Sequence, residues 1–279
     1  MQYKNVLVYL DQGASNEERV RTAIAMAEKF GAKLTGVVVN ALPTASTMLQ
    51  LSLAQGDKWK EKAREEAEAV TQDFSETAAK QNVECDTCIM ECMEGRAPVK
   101  LSRFARNYDI SIMRQANPKR PDAGFISDLS EEVLFASGRP VFFMPYIGAH
   151  TIPCRRGLIA WDGSAAATRA VHDALPLLEQ METVELVVVD ANDVVHNMNT
   201  EPGEGLSAHL TAHGIKNRVA RIPSGGLSTS TVILNKVSDS GADILIMGGY
   251  GTAKLRELVL GGVTRTLFNC MTVPVVMSH

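Results

Sequence analysis

The sequence lacks the features that would indicate a membrane protein, a secreted protein or a general nucleic-acid binder. No apolar run among its 279 residues reaches the length of a transmembrane helix, and its first residues show no apolar signal-peptide region. The 28 Lys and Arg residues are outnumbered by 32 Asp and Glu residues, which gives a net charge of −4. This balance does not favour nucleic acid or an anionic membrane as a partner. We therefore expect a cytoplasmic protein with no nucleic-acid and no membrane partner.

The cysteines are few and do not form a recognisable metal-binding set. There are five of them, an odd number, and three are clustered as Cys85, Cys88 and Cys92. Three thiols so close in sequence can hold zinc or an iron–sulfur cluster, but no fourth ligand lies nearby. The segment also has the pattern of a strand, on which Cys85 and Cys88 would point to opposite faces. We expect reduced cysteines in or beside a core and no metal site.

A glycine-rich stretch near the end of the chain is the strongest candidate for a binding site. The apolar run from Ile244 to Met247 stops at Gly248 and Gly249, which is typical of a buried strand entering a turn. A second glycine pair at 261–262 precedes a helical pattern. Glycines allow backbone N–H groups to approach a ligand closely, and a helix N-terminus favours phosphate. The candidate phosphate-binding residues are Met247, Gly248, Gly251, Gly261, Gly262, Val263 and Thr264.

This glycine pattern matches neither of the two common nucleotide-binding fingerprints. It lacks the Lys-Ser/Thr of a Walker loop, and its spacing is wrong for the dinucleotide fold. It resembles Gly-x2-Gly-x9-Gly-(Ser/Thr), the phosphate-and-ribose motif of the universal stress protein family, with Gly248, Gly251 and Gly261 at its glycine positions. Gly262 stands where the family usually has Ser or Thr, so one hydroxyl donor is lost while the backbone cradle remains. The alternative, in which these glycines serve only a turn and helix caps, stays open.

The two halves of the sequence repeat one design. Residues 109–113, Asp-Ile-Ser-Ile-Met, align with residues 243–247, Asp-Ile-Leu-Ile-Met, at an offset of 243 − 109 = 134. Pro140 and Pro274 align at the same offset, without a gap. Each half alternates strand and helix patterns through about five strands, which predicts a parallel sheet with helices on both faces. The fold class is therefore α/β, with two doubly wound domains in tandem.

The resemblance to universal stress proteins covers nearly the whole chain, as two tandem copies. Gly148 and Pro153 break the pattern between the copies, which predicts a first domain over residues 1–147 and a second over residues 153–279. The resemblance implies that each copy contains a five-stranded parallel sheet in the order 3-2-1-4-5. The last strands of the two copies are expected to pair, which would form an internal pseudo-dimer. Association of two chains into a homodimer stays open.

The first half has lost the glycine cradle. At the constant offset, a carboxylate lies where an anion would be bound, which disfavours a phosphate group there. We therefore predict that only the second half binds a nucleotide. The residues opposite Gly248, Gly251, Gly261 and Gly262 are Arg114, Asn117, Ser127 and Asp128.

Two further positions of the second half are candidates for contacts with the nucleoside. Asp162 follows a strand pattern, and ligands of open α/β sheets bind beyond the carboxyl ends of the strands. The resemblance assigns Asp162 to the ribose or adenine, whereas the alternative is a helix cap, a role that Ser164 can also fill. The resemblance further implies that the backbone near Val189 recognises the adenine edge. Asp11 is the counterpart of Asp162, and we expect it to be a cap or turn residue.

Two stretches of the first half have clear patterns but no assigned role. The charged run from Asp57 to Glu68 predicts the exposed side of a long helix, with Trp59 packed inward. The stretch from Ala41 to Gln55 is unusually apolar for a connection. It is either a short helix over the core or a contact surface.

These features together predict a tandem universal stress protein that binds ATP, or another adenine nucleotide, with or without Mg²⁺, in a regulatory or stress-response role. No catalytic set is visible near the cradle, so enzymatic activity is expected to be absent or limited to slow ATP hydrolysis. One alternative is an enzyme related to the ATP pyrophosphatases, because residues 223–230 resemble their Ser-Gly-Gly-x-Asp-Ser loop, with Ser228 in place of Asp. We favour a loop and helix N-cap there. The other alternative is a partner-binding module without nucleotide.

Overall fold

The computed structural model describes residues 2–42, 53–147, 152, 154–191, 200–249, 266 and 268–279. In these ranges the strands are β1 (Asn5–Leu10), β2 (Lys33–Leu42), β3 (Cys85–Met93), β4 (Ile110–Arg114), β5 (Val141–Met144), β6 (Arg156–Ala160), β7 (Thr183–Val189), β8 (Asn217–Ile222), β9 (Ile244–Gly248) and β10 (Val275–Ser278). The α-helices are α1 (Asn16–Phe30), α2 (Leu53–Lys80), α3 (Ala97–Ala105), α4 (Ala123–Ala136), α5 (Ala165–Leu178), α6 (Glu204–Ala212) and α7 (Thr229–Ser240).

The ten strands form one continuous sheet in the order β3-β2-β1-β4-β5-β10-β9-β6-β7-β8. Every neighbouring pair is parallel except β5 and β10, which run antiparallel. Each half thus has the order 3-2-1-4-5, counted from its own first strand, which confirms the predicted fold. The antiparallel pair joins the last strand of one half to the last strand of the other, as the resemblance implied.

Helices cover both faces of the sheet because the strands are apolar on both sides. Val6 and Val8 of β1 point to the face covered by α1, α2, α5 and α6, whereas Leu7 and Tyr9 point to the face covered by α3, α4 and α7. Each of these two cores contains residues of both halves. Among the described residues, no helix has an apolar stretch long enough to cross a membrane.

One carboxylate in each half connects the start of the fourth strand to the start of the first. Asp109 Oδ2 accepts hydrogen bonds from the backbone N–H groups of Lys4 (2.6 Å) and Asn5 (2.9 Å). Asp243 Oδ2 accepts two bonds of 2.8 Å from the N–H groups at 155–156. The repeat found in the sequence therefore extends to individual hydrogen bonds. The first half is longer between these anchors, where α2 has 28 residues and its counterpart α6 has 9.

The charged run and the cysteines of the first half lie on the elements predicted for them. The charged run lies on α2 as predicted, although Trp59 is 37% exposed and packs inward only in part. Cys85 packs against the core of one face of the sheet, and Cys88 against that of the other, as the strand pattern predicted. Most of the apolar stretch after β2, residues 43–52, lies outside the described residues. Residues 148–151 and 153 do so too, and the domain bounds 1–147 and 153–279 remain predictions.

We predict that Asp109→Ala and Asp243→Ala each lower the free energy of unfolding by about 1 to 2 kcal/mol, because each leaves two backbone N–H groups without their charged acceptor. Urea unfolding of the purified variants measures this loss. Asp239→Ala is the matched control, since Asp239 is exposed on α7, and it should change the stability by less than about 0.5 kcal/mol. Equal losses in all three variants would contradict the role given to the two carboxylates.

Candidate functional site

The predicted site residues of the second half that the structure describes lie at one edge of the sheet. β6 lies between β7 and β9, and all three run parallel. Their carboxyl ends, at Ala160, Val189 and Gly248, therefore meet at the same edge. The order of the strands reverses beside β6, and such a reversal leaves a crevice in which open α/β sheets bind ligands.

Asp162 and Ser164 divide between them the two roles considered for the loop after β6. Ser164 is the N-cap of α5, because its Oγ accepts the N–H of Ala167 at 3.1 Å. Asp162 is exposed, and its Oδ1 accepts the N–H of Ser164 at 3.0 Å. Asp162 Oδ2 has no hydrogen-bond partner among the described residues. The helix cap therefore does not use Asp162, and one of its oxygens remains available at the edge of the crevice.

The backbone of Val189 is directed toward the space beyond the end of β6. Val187 accepts the N–H of Trp161 on the β6 side, whereas Asp190 donates to Ile222 on the β8 side. Neighbouring residues of a strand direct their backbone groups to alternate sides, so the N–H and C=O of Val189 face the β6 side. Pairing with β6 already ends at Val187. These two groups are thus placed to meet the edge of a ligand.

Gly248 occupies a position that no side chain can share. A Cβ at this residue would lie 2.5 Å from the backbone N of Ala167 and 2.8 Å from the backbone C of Ala166. The end of β9 therefore packs directly on the first turn of α5, where backbone N–H groups and the helix dipole favour an anion. Met247 is buried in the core, so only its backbone can contribute. Gly251, Gly261, Gly262, Val263 and Thr264 lie outside the described residues.

Asp190 is a residue of this crevice that the sequence analysis missed. It follows β7 with a positive φ of 49°, and its Oδ1 accepts the backbone N–H of Ser224 at 2.8 Å. This hydrogen bond lowers the pKa of the Asp190 carboxyl. The carboxylate thereby fastens the loop after β8 to the end of β7. An Asp directly after a strand is a signal for such a conformation, because Asp tolerates positive φ better than most residues.

The loop at 223–230, which resembles a pyrophosphatase motif, leads into α7 and supplies its N-cap. Ser228 is the N-cap of α7, and its Oγ accepts the N–H of Thr231 at 3.2 Å. The same Oγ lies 2.9 Å from the hydroxyl of Ser230. The helix begins at Thr229, directly after Ser228. The hydroxyl of Ser228 is therefore engaged in the local structure, as the favoured interpretation expected.

In the first half, an arginine occupies the place of Gly248. Arg114 ends β4 and is only 2% exposed. Its Nε lies 2.6 Å from Asp11 Oδ2, and its Nη2 bonds to Asp122. Asp11 also pairs with Arg19 at 3.1 Å and accepts the N–H of Gly13. Asp11 is thus a turn residue, as expected, and also the centre of an ion-pair network that the sequence analysis missed.

The charges of this network compensate one another. Burial alone would raise the pKa of Asp122, but the guanidinium groups of Arg114 and Arg120 outweigh burial and hold it below its usual range. Asp128, the carboxylate expected opposite Gly262, is exposed on α4. The buried cation of Arg114 is therefore the larger difference between the two halves at the end of the fourth strand.

We predict that Arg114→Ala lowers the free energy of unfolding by about 3 kcal/mol or more, because it removes the buried cation that Asp11 and Asp122 share. Each carboxylate then keeps one cationic partner, Arg19 or Arg120. Arg120→Ala, at a half-exposed position of the same network, should cost less than about 1 kcal/mol. Urea unfolding at pH 7 measures both.

A carboxyl with a depressed pKa stabilises the fold above its unfolded pKa of about 3.9. The difference between wild type and Arg114→Ala should therefore shrink as the pH falls below about 4. Equal losses for the two variants would contradict this ranking.

Comparison with known proteins agrees with the fold. A scan of protein-family models and a search of curated proteins find no match. A universal stress protein from Archaeoglobus fulgidus DSM 4304 is similar in structure, with a TM-score of 0.73, 17% identity and coverage of 98% of this chain and 94% of that one. A protein of unknown function from Pseudomonas aeruginosa PAO1 and a candidate universal stress protein from P. aeruginosa UCBPP-PA14 give TM-scores of 0.60 and 0.59, each at 12% identity and covering 98% of this chain and 92% of its own. The chain therefore has the fold of the universal stress proteins, in their tandem form of two five-stranded halves.

Proposed function

We propose that this protein is a tandem universal stress protein that binds ATP, or another adenine nucleotide, in the crevice of its second half. The observation that carries the proposal is the contact of Gly248 with the first turn of α5. A Cβ there would lie 2.5 Å from a backbone nitrogen, so the position requires glycine. Glycine at this place brings the end of a strand, the start of a helix and the Gly-x2-Gly-x9-Gly pattern together, and the combination suits a phosphate group.

Each part of the nucleotide has a matching group at this edge of the sheet. The open Oδ2 of Asp162 suits a ribose hydroxyl, which is a hydrogen-bond donor. The N–H and C=O of Val189 suit the edge of an adenine ring, which offers both an acceptor and a donor. The phosphates would lie at Gly248 and the start of α5. We propose that Gly251, Gly261, Gly262, Val263 and Thr264 complete the cradle.

The first half is proposed to bind no nucleotide phosphate. In the place of Gly248 stands Arg114, whose guanidinium already pairs with Asp11 and Asp122. Those carboxylates would repel a phosphate that displaced the arginine. One nucleotide per chain, in the domain over residues 153–279, is therefore the expected stoichiometry.

A regulatory or stress-response role in the cytoplasm fits this site better than rapid catalysis. Among the described residues of the crevice, two carboxylates lie near the strand ends, Asp162 and Asp190. Asp190 is held by the N–H of Ser224 and lies at the end of β7, whereas Asp162 follows β6. Mg²⁺ bound mainly through the phosphates of ATP is compatible with one protein carboxylate. We expect at most slow ATP hydrolysis.

Calorimetric titration of ATP into nucleotide-free protein tests the proposal. Wild type should bind close to one ATP per chain, and Asp162→Ala should weaken binding by about 10- to 100-fold, because a charge-assisted hydrogen bond is lost. Gly261→Asp should abolish binding, since a carboxylate would enter the proposed cradle. Asp239→Ala, far along α7, is the control and should bind like wild type.

The outcomes distinguish the alternatives. Absence of ATP binding in wild type would remove the proposal and leave a partner-binding module. Steady ATP turnover above background in wild type, abolished by Asp162→Ala, would replace the regulatory role with a slow ATPase. Unchanged affinity in Asp162→Ala together with lost affinity in Gly261→Asp would keep the phosphate site but remove the role of the carboxylate.

A further inference from the structure

The crevice of the first half contains a cavity, although it has lost the phosphate cradle. Its volume is about 320 Å³, and it lies between the carboxyl ends of β1 and β2 and residues 59–70 of α2. This volume is at the lower end of the range of small-molecule sites. The position at the end of the first strand, next to the reversal of strand order beside β1, is where open α/β sheets bind ligands.

One wall of the cavity is apolar and carries an aromatic ring. Val38 of β2 and Ala67 of α2 are buried, and Val70 lies beside them. Trp59 lines the same cavity with 37% of its surface exposed. An indole that is half open to a cavity offers a face on which a planar ring can stack.

The charged side chains that line the cavity are already paired. Asp11 pairs with Arg19 and Arg114, and Asp122 pairs with Arg114 and Arg120. Glu66 lies 3.7 Å from Lys62 one turn earlier on α2. A charged ligand would have to break one of these pairs, whereas an uncharged ligand would leave them intact.

Uncharged hydrogen-bonding groups complete the walls. Lys33 of β2 donates to β1 and Leu34 donates to β3, so odd-numbered residues of β2 direct their backbone groups toward β1. Pairing with β1 ends at Val38. This last pair engages the N–H of Val39 with the carbonyl of Leu10. The C=O of Val39 therefore faces the cavity beyond the end of β1, and the amide side chains of Gln12 and Asn40 line it as well.

We infer that the first half binds a small, uncharged heteroaromatic molecule, of the size of a nucleobase or nucleoside, without phosphate. The ring stacks on Trp59, and its polar edge donates a hydrogen bond to the carbonyl of Val39. Arg120 and Asp122, in the loop after β4, line the adjoining side of the cavity. This inference rests on the cavity and its walls, and it does not depend on ATP binding in the second half.

The two tryptophans of the chain, Trp59 and Trp161, allow each half to be observed alone. Trp59 lines the cavity of the first half, and Trp161 directly precedes Asp162 at the crevice of the second half. Trp161→Phe therefore leaves a fluorescent reporter for the first half only, and Trp59→Phe leaves one for the second. We expect adenosine to quench Trp59 in a saturable way, with at least 10-fold weaker binding of ATP at this reporter.

A matched pair of variants on α2 tests whether the cavity is the site. Ala63 lines the cavity and Ala69 is exposed on the same helix. Ala63→Phe fills the cavity and should abolish the response of Trp59 to adenosine, whereas Ala69→Phe should retain it. Both are made in the Trp161→Phe background, and their thermal unfolding midpoints are compared to confirm that both are folded.

The possible results separate this inference from the proposed function. A saturable response of Trp59 to adenosine that is lost in Ala63→Phe supports it, whether or not ATP affects Trp161. No response of Trp59 to adenosine or guanosine at millimolar concentration overturns it, even if ATP binds in the second half. Equal affinity for adenosine and ATP at Trp59 also overturns it, because the site would then accept phosphate.

Discussion

The antiparallel pairing of β5 with β10 is the interaction that makes the two halves one structure. Both strands are short, and each is buried along its whole length. The side chains of Phe142 and Phe143 are fully buried. Alone, either half would expose an apolar edge strand with unpaired backbone groups, which is a template for aggregation. The pairing removes both edges at once, and each of the two cores then continues from one half into the other.

Contacts beside this strand pair connect the halves at positions close to the crevices. Gln115 follows Arg114, and its side-chain amide donates to the carbonyl of Phe268. The ring of Phe268 meets that of Phe143 edge to face, with centroids 4.6 Å apart. In the second half, Gly249 donates its N–H to Ser278 of β10. In the first half, the backbone N–H of Gln115 donates to Met144 of β5. The residue after each fourth strand is therefore bonded to a strand of the antiparallel pair.

Much of the fold could be predicted because the two halves of the sequence repeat the same series of strand and helix patterns. The segments beginning at Asp109 and Asp243 match in order and spacing, and the structure shows why both begin with Asp. Each carboxylate binds two backbone N–H groups at the start of the first strand of its half. A repeat with such local constraints survives in the sequence even where the remaining residues diverge. The strand order followed from the resemblance once the repeat was aligned.

The ion-pair network and the cavity of the first half could not be predicted in the same way. Asp11, Arg19 and Arg114 come from the turn after β1, from α1 and from β4, and nothing in their spacing indicates that they meet. Asp190 was missed because its role depends on Ser224, a residue 34 positions away. The alignment did place Arg114 opposite Gly248, but only the structure shows that the arginine is buried between two carboxylates. The alignment therefore showed that an arginine replaces a glycine in the first half, but not which ion pairs the arginine forms.

That chemistry explains how two copies of one fold can differ in what stabilises them. In the first half, Arg114 supplies positive charge at the end of the fourth strand, and Asp11 and Asp122 neutralise it within the protein. In the second half, Gly248 occupies the same place without a side chain and packs on the backbone of Ala166 and Ala167. A ligand that binds only the folded state stabilises it in proportion to the logarithm of its concentration. The first half therefore carries its own charge compensation, whereas under the proposed ATP binding the stability of the second half would depend on the concentration of nucleotide.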